Sequence, residues 1–173
     1  MSRQTINIGA APNDGTGDPL RDAFDKVNDN FAELYIHGAR AKFSADQTLK
    51  DFSTGASVQW DAEDFDTDGI HSTVTTPQRM IVPSGFVYAR VECGIYIQNV
   101  TAALSPIIQI RKNGTAIAAT QGYNAGTNWG STQTSGLVPC VAGDYFDCFM
   151  QVSGDTSIDI LAARSFLSIQ LYA

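Results

Sequence analysis

The sequence predicts an all-β domain, an antiparallel sandwich over residues 41–173, behind a short arm of residues 1–40 that carries one α-helix. Three observations carry that reading. Apolar residues alternate with polar ones in short runs after residue 40, the Asn113-Gly114 pair sits between two such runs, and no second helical pattern follows the first. Period-two alternation marks strands with one buried face, and Asn-Gly is the preferred pair of a two-residue hairpin turn because both residues need positive φ.

The arm opens on a Gly/Asn/Asp-rich loop and then turns helical. In Asp18-Pro19-Leu20-Arg21-Asp22, Asp18 is the expected N-cap, Pro19 takes the first helical position, and Asp22 adds negative charge near the amino end. Leu20, Phe24, Val27, Phe31 and Leu34 follow at spacings of 4, 3, 4 and 3, a heptad seam widened by Ala23 and Tyr35, with Gly38 as the expected stop. A helix this short is not self-sufficient, so the seam needs a cover. Three covers fit the pattern: the chain's own sandwich, the same seam on sister chains, or a groove on another protein.

Strands are expected over 41–44, 57–61, 79–82, 86–97, 145–152 and 165–172, with turns at Pro83-Ser84-Gly85, Ala142-Gly143-Asp144 and Ser153-Gly154-Asp155. In the hairpin of 107–118, a two-residue turn places Lys112 opposite Thr115 and Ile110 opposite Ile117, the latter an inward pair. Repeated short strands of this kind make a sandwich or a barrel.

Composition bounds the function. At 173 residues the chain allows one domain plus a small appendage, and 43% hydrophobic with 10% aromatic residues suffices for a real core. The net charge of −7 and the small size of the basic stretches, Arg40 with Lys42 and Arg111 with Lys112, argue against a nucleic-acid partner. No apolar run reaches the ~18 residues of a membrane span, and the first residues show no apolar leader core, so neither membrane insertion nor a secretory leader is expected. Cys93, Cys140 and Cys148 lie in apolar runs without metal-ligand spacing and are expected as buried small hydrophobes rather than a disulfide or a reactive thiol, which fits assembly in a reducing cytoplasm.

Little chemistry is visible. His37 and His71 belong to no nucleophile-and-base motif, and both are expected as surface turn residues; no catalytic residue is assigned and an enzyme is not expected. Asp61, Glu63, Asp64, Asp66 and Asp68 put five carboxylates in eight residues, and Asp64, Asp66 and Asp68 imitate the start of a calcium loop. The twelfth position of that loop would be Thr75 rather than a bidentate Glu, so the run is expected to be a solvated acidic turn with at most weak calcium affinity, and replacing Asp64 and Asp66 by Asn is expected to be nearly neutral. No cofactor is implied. The Gly-rich stretch 122–136 offers Tyr123, Asn124, Asn128 and Trp129 as possible ligand contacts, since aromatic and amide side chains suit sugar faces and hydroxyls; packing between sister chains or an ordinary long connection explains that stretch equally.

Two resemblances sharpen this reading. The ordered series Val58-Gln59-Trp60-Asp61, Phe65-Asp66-Thr67-Asp68-Gly69-Ile70-His71, Ile81-Val82-Pro83-Ser84-Gly85-Phe86-Val87-Tyr88, Ile110-Arg111-Lys112-Asn113-Gly114, Ala142-Gly143-Asp144-Tyr145-Phe146 and Ser165-Phe166-Leu167-Ser168-Ile169-Gln170-Leu171 resembles the jelly-roll domain of the complement C-one-q head and tumour-necrosis-factor superfamily, over about three-quarters of the chain. The segment Ile6-Asn7-Ile8-Gly9 through Asn13-Asp14-Gly15-Thr16-Gly17-Asp18-Pro19-Leu20 to Asn28-Asp29-Asn30-Phe31-Ala32-Glu33-Leu34-Tyr35 is similar to an amino-terminal segment of tailed-bacteriophage virion proteins, often head or tail fibres. Together they imply a jelly-roll head, residues 41–173, that forms a homotrimer and is fixed by residues 1–40 to phage capsid or tail proteins. The implied place is the virion surface, after assembly in the cytoplasm of the host bacterium. The implied role is a head decoration or a short fibre or spike, since no long shaft lies between the two parts. The alternative is a receptor-binding fibre tip that recognises a host-surface glycan or protein.

Overall fold

A computed structural model describes residues 4–11, 14–32, 35–50, 52–99, 103–122, 124–125, 128–153 and 157–173. The chain divides into two compact units, Met1–Ile36 and His37–Ala173.

In the first unit, helix α1 spans Leu20–Ala32, with the Ala23 N–H donating to the Pro19 carbonyl at 2.9 Å as its first turn closes. The carboxylate of Asp18, expected as a cap, is instead directed at the loop and the helix side. It accepts from the Asn7 N–H at 2.8 Å and from Lys26 Nζ at 2.6 Å. Gln4 and Asn30 exchange two hydrogen bonds, at 2.8 and 2.9 Å, so the loop is hung along the helix by polar groups. Within the loop the Asp14 carboxylate accepts from the N–H groups of Ala10, Ala11 and Thr16 at 2.7, 2.7 and 2.9 Å. Those bonds, Thr16's first and then Ala11's, bring its pKa down to about 2.

The second unit is a sandwich of two antiparallel sheets. The first sheet runs β2 (Gln47–Lys50), β12 (Ser157–Ile160), β6 (Tyr88–Gln98), β13 (Phe166–Tyr172), β1 (His37–Lys42) and β4 (Ala62–Asp66), with β10 (Trp129–Pro139) on the other edge of β6. The second runs β3 (Ala56–Ser57), β11 (Tyr145–Ser153), β7 (Ala103–Lys112) and β8 (Thr115–Gln121); β5 (Met80–Ile81) joins β11 and β9 (Asn124–Ala125) joins β7. Alternate residues of facing strands fill the core: Ala89, Val91, Cys93, Ile95 and Ile97 from β6, Leu167, Ile169 and Leu171 from β13, and Phe146, Cys148, Met150 and Val152 from β11. Trp60 and Phe43 are buried beside them with ring centroids 4.8 Å apart. The fold is the antiparallel jelly roll that the sequence implied.

Several sequence expectations are corrected. Gly38 does not stop a helix. It is a buried residue of β1, where a Cβ would collide with the Ile169 carbonyl oxygen of β13. The hairpin turn is as expected, with φ of 51° at Asn113 and 80° at Gly114 and Lys112 opposite Thr115, but Ile110 pairs with Ala118. A register shift between Ile110 and Arg111 leaves Ile117 on the exposed side while Ile110 stays buried. The run 57–61 is a strand only at Ala56–Ser57, and the acidic run expected as a turn is the strand Ala62–Asp66, paired with β1. Most of the stretch 122–136 is also strand, the long β10.

Candidate functional site

The exposed apolar side of α1 is the first candidate surface. Leu20, Phe24 and Phe31 are 75%, 58% and 61% exposed, and Val27 is half-buried. Leu34, the last residue of the predicted seam, lies outside the described residues. Tyr35 and Ile36, exposed beyond the helix, extend the apolar surface of this unit. A seam of large apolar side chains in water is costly at roughly 25 cal/mol per Å², and such surfaces mark contact sites.

The outward side of the first sheet is the second. Register places Tyr88 opposite Tyr172, Arg90 opposite Gln170, Glu92 opposite Ser168 and Gly94 opposite Phe166. Tyr88 and Tyr172 are 42% and 37% exposed. Two glycines let rings lie flat on this face: a Cβ on Gly94 would stand 2.6 Å from the Phe166 ring, and one on Gly130 would stand 2.5 Å from the Tyr96 ring. Arginines flank the rings, Arg40 over Phe166 at 4.1 Å and Arg164 over Tyr96 at 5.0 Å. Strands were expected over 86–97 and 165–172, but the ring-on-glycine pairs were not. A glycine inside a strand pattern was the available signal.

The acidic run resolves into separate attachments. Asp61 accepts from the Ser44 N–H and Gln47 Nε2, both at 2.7 Å, and Asp64 pairs with Lys42 and, at 3.3 Å, with Arg40 Nε. Asp66 accepts from three backbone N–H groups, those of Asp68, Ile70 and His71, at 3.2, 3.0 and 2.9 Å. Asp68 lies 3.0 Å from His37 Nδ1 and accepts from Thr67 Oγ1 at 2.6 Å. Burial pushes the Asp68 carboxyl up, and those two bonds outweigh it, so its pKa is lowered. Asp64, Asp66 and Asp68 are thus held by three different sets of partners. Among the described residues no group of three or more His, Cys, Asp or Glu is placed to hold a metal ion.

His71, expected on the surface, is buried. Its Nδ1 lies 2.7 Å from Glu63 Oε1 and its Nε2 lies 3.0 Å from the Pro77 carbonyl oxygen. Both ring nitrogens are occupied by acceptors, so neither is placed to take a proton from a nucleophile. His37 packs its ring against Phe86 at 5.0 Å besides meeting Asp68.

Of the predicted ligand contacts, Tyr123 lies outside the described residues, and Asn124 is described only as a backbone position of β9. Asn128 is exposed and its Oδ1 accepts from the Asn99 N–H at 3.0 Å. Trp129 is half-buried against the core, with its indole close over Gly122. All three cysteines are buried and free. Burial raises the pKa of the Cys140 thiol.

Comparison with known proteins fits this architecture. The family model described as bacteriophage T4 gp9/10-like protein, N-terminal, matches residues 3–135. No curated protein sequence matches the chain. Among solved structures, murine APRIL at pH 5.0 is similar at a TM-score of 0.57 with 8% identity, covering 79% of this chain and 99% of that one. Murine APRIL at pH 8.0 is similar at 0.53 with 10% identity over the same shares. At such identities the likeness is one of fold, a jelly roll of the tumour-necrosis-factor kind.

Proposed function

Because the chain belongs to the bacteriophage T4 gp9/10-like family of phage structural proteins, we propose that it is a homotrimeric head decoration or short fibre or spike protein, fixed to the particle through residues 1–40. The observation that carries the attachment is the exposed apolar side of α1, with Leu20, Phe24 and Phe31 in water. A particle protein would cover it. Support for the trimer comes from the outward side of the first sheet, where Tyr88, Tyr172, Phe166 and Tyr96 supply a surface that three copies would bury around a common axis. Action would be by surface complementarity, with no reaction.

The core of the sandwich is assembled from residues between Ala39 and Leu171 and β1 begins at His37, so removal of residues 1–36 leaves it whole. Deleting residues 1–36 should therefore give a soluble β domain that no longer joins particles. Incorporation of that truncated protein would refute the attachment reading. Light scattering at micromolar concentration tests the trimer, and a stable monomer would refute it.

A further inference from the structure

We propose that Cys93 and Cys148 are a latent cross-sheet dithiol that closes to a disulfide when the protein meets an oxidant. Cys93 stands at an inward position of β6, opposite Leu167 of β13 and Gln133 of β10. Cys148 stands at an inward position of β11, opposite Ile110 of β7. The two strands belong to different sheets, both residues are fully buried, and the sulfurs face one another across the core at 2.8 Å. A disulfide needs about 2.05 Å and two converging Cβ vectors, so closure requires less than about 1 Å of further approach. Two small apolar residues would serve the core as well as two thiols. The mutual approach is what distinguishes this pair from Cys140, which lies beyond the end of β10.

With hydrogen peroxide as oxidant, one sulfur attacks a peroxide oxygen, the O–O bond breaks, and the departing hydroxide leaves as water with the thiol proton. The second sulfur then displaces the hydroxyl of the sulfenic acid, the S–S bond forms, and a second water leaves. Two electrons pass from the sulfurs to the peroxide. Burial and the neighbouring Cys93 thiol raise the pKa of the Cys148 thiol well above its usual value, and the packed core excludes the reagent. Closure therefore waits on opening of the sandwich and is slow in the native protein. The pair stays a dithiol where thiols are kept reduced and locks after transfer to an oxidising medium. The closed loop spans 55 residues and joins a central strand of each sheet, so locking restrains both the unfolded chain and the separation of the sheets.

The test treats the full chain with hydrogen peroxide near its melting range, cools it, alkylates it under denaturing conditions, and maps peptides without reduction. A Cys93–Cys148 cross-link two hydrogen atoms lighter than the dithiol is expected, with Cys140 alkylated. A raised melting temperature that dithiothreitol reverses should accompany it. The Cys140→Ala variant should behave identically, and Cys93→Ala or Cys148→Ala should lose the shift. Should those two variants fail to fold, the map of the wild-type and Cys140→Ala proteins decides alone. Free thiols at both positions after treatment, sulfinic acid there, or a bond to Cys140 would overturn the proposal.

Discussion

Removing the Asp147 carboxylate is the sharpest test of what holds the second sheet together. Asp147 of β11 is directly opposite Arg111 of β7, is only 1% exposed, and accepts from Ser57 Oγ at 2.7 Å. The Arg111 guanidinium reaches it through Nε at 3.2 Å and through a closer terminal nitrogen, donates to Ser57 Oγ at 2.7 Å, and lies over the Phe149 ring at 4.3 Å. Breaking a buried pair by deleting one partner costs about 3–5 kcal/mol, because the other charge is left without compensation. Arg111 keeps 19% of its side chain in water, so Asp147→Ala belongs near the lower end, about 3 kcal/mol. Arg111→Met leaves the more deeply buried carboxylate unpaired and should cost at least as much. Replacing both, as Asp147→Leu with Arg111→Met, should recover most of the loss, since an apolar pair of similar volume carries no desolvation penalty. Urea unfolding of the wild-type protein and the three variants measures these differences. Single-variant costs below about 1 kcal/mol, the range of exposed pairs, would refute the claim that this ion pair is buried and coupled.

Two further outcomes are expected. Hydrogen bonds from Lys112 and Asn113 and the Val141 N–H bring the Asp144 pKa from 3.8 down to about 2; a pKa depressed in the folded state contributes stability above pH 3.8 that is lost as pH falls through about 2. Asp144→Asn should flatten the loss of urea resistance across that window, and an unchanged slope would count against the assignment. Melting temperatures should agree in chelator and in millimolar calcium, while Asp66→Ala should lower stability by about 2 kcal/mol by releasing three N–H groups from a charged acceptor; a calcium-dependent rise lost in that variant would reveal a metal site instead.

The sequence expectation that the acidic run is a solvated turn fails for a reason visible only in three dimensions. Charge runs are depleted in strands, so five carboxylates read as a turn. Here they lie on or beside β4 at the margin of a sheet, where charges suit an edge and deter pairing with other chains. The polar, Gly-containing β10 was hidden in the same way, because an edge strand needs no apolar alternation. Alternation was plain in β6, β11 and β13, whose inward faces are shut in the core, and those strands fall within a residue or two of their predicted bounds. The hairpin turn was legible from local φ demands at Asn113 and Gly114, whereas the bulge that displaces Ile117 depends on the partner strand. The helix was readable from spacing alone. The ring-on-glycine pairs and the sulfur contact join residues far apart in the chain, so no local pattern names the partner.

The position of β13 has a consequence for how the protein is made. It is the last strand in the chain, yet it lies between β1 and β6, the first and one of the longest strands of the unit. Until residue 172 leaves the ribosome, that sheet has a gap at its centre, with two facing rows of unpaired N–H and C=O groups. Closure of this sheet therefore waits for residue 172, and its pairing of β1 with β13 joins residues more than a hundred positions apart, as His37 with Leu171. Such long loops close slowly. Chains exposing open strand edges at high concentration are prone to stick to one another, and the acidic residues of the edge strand β4, with the net charge of −7, oppose such contacts.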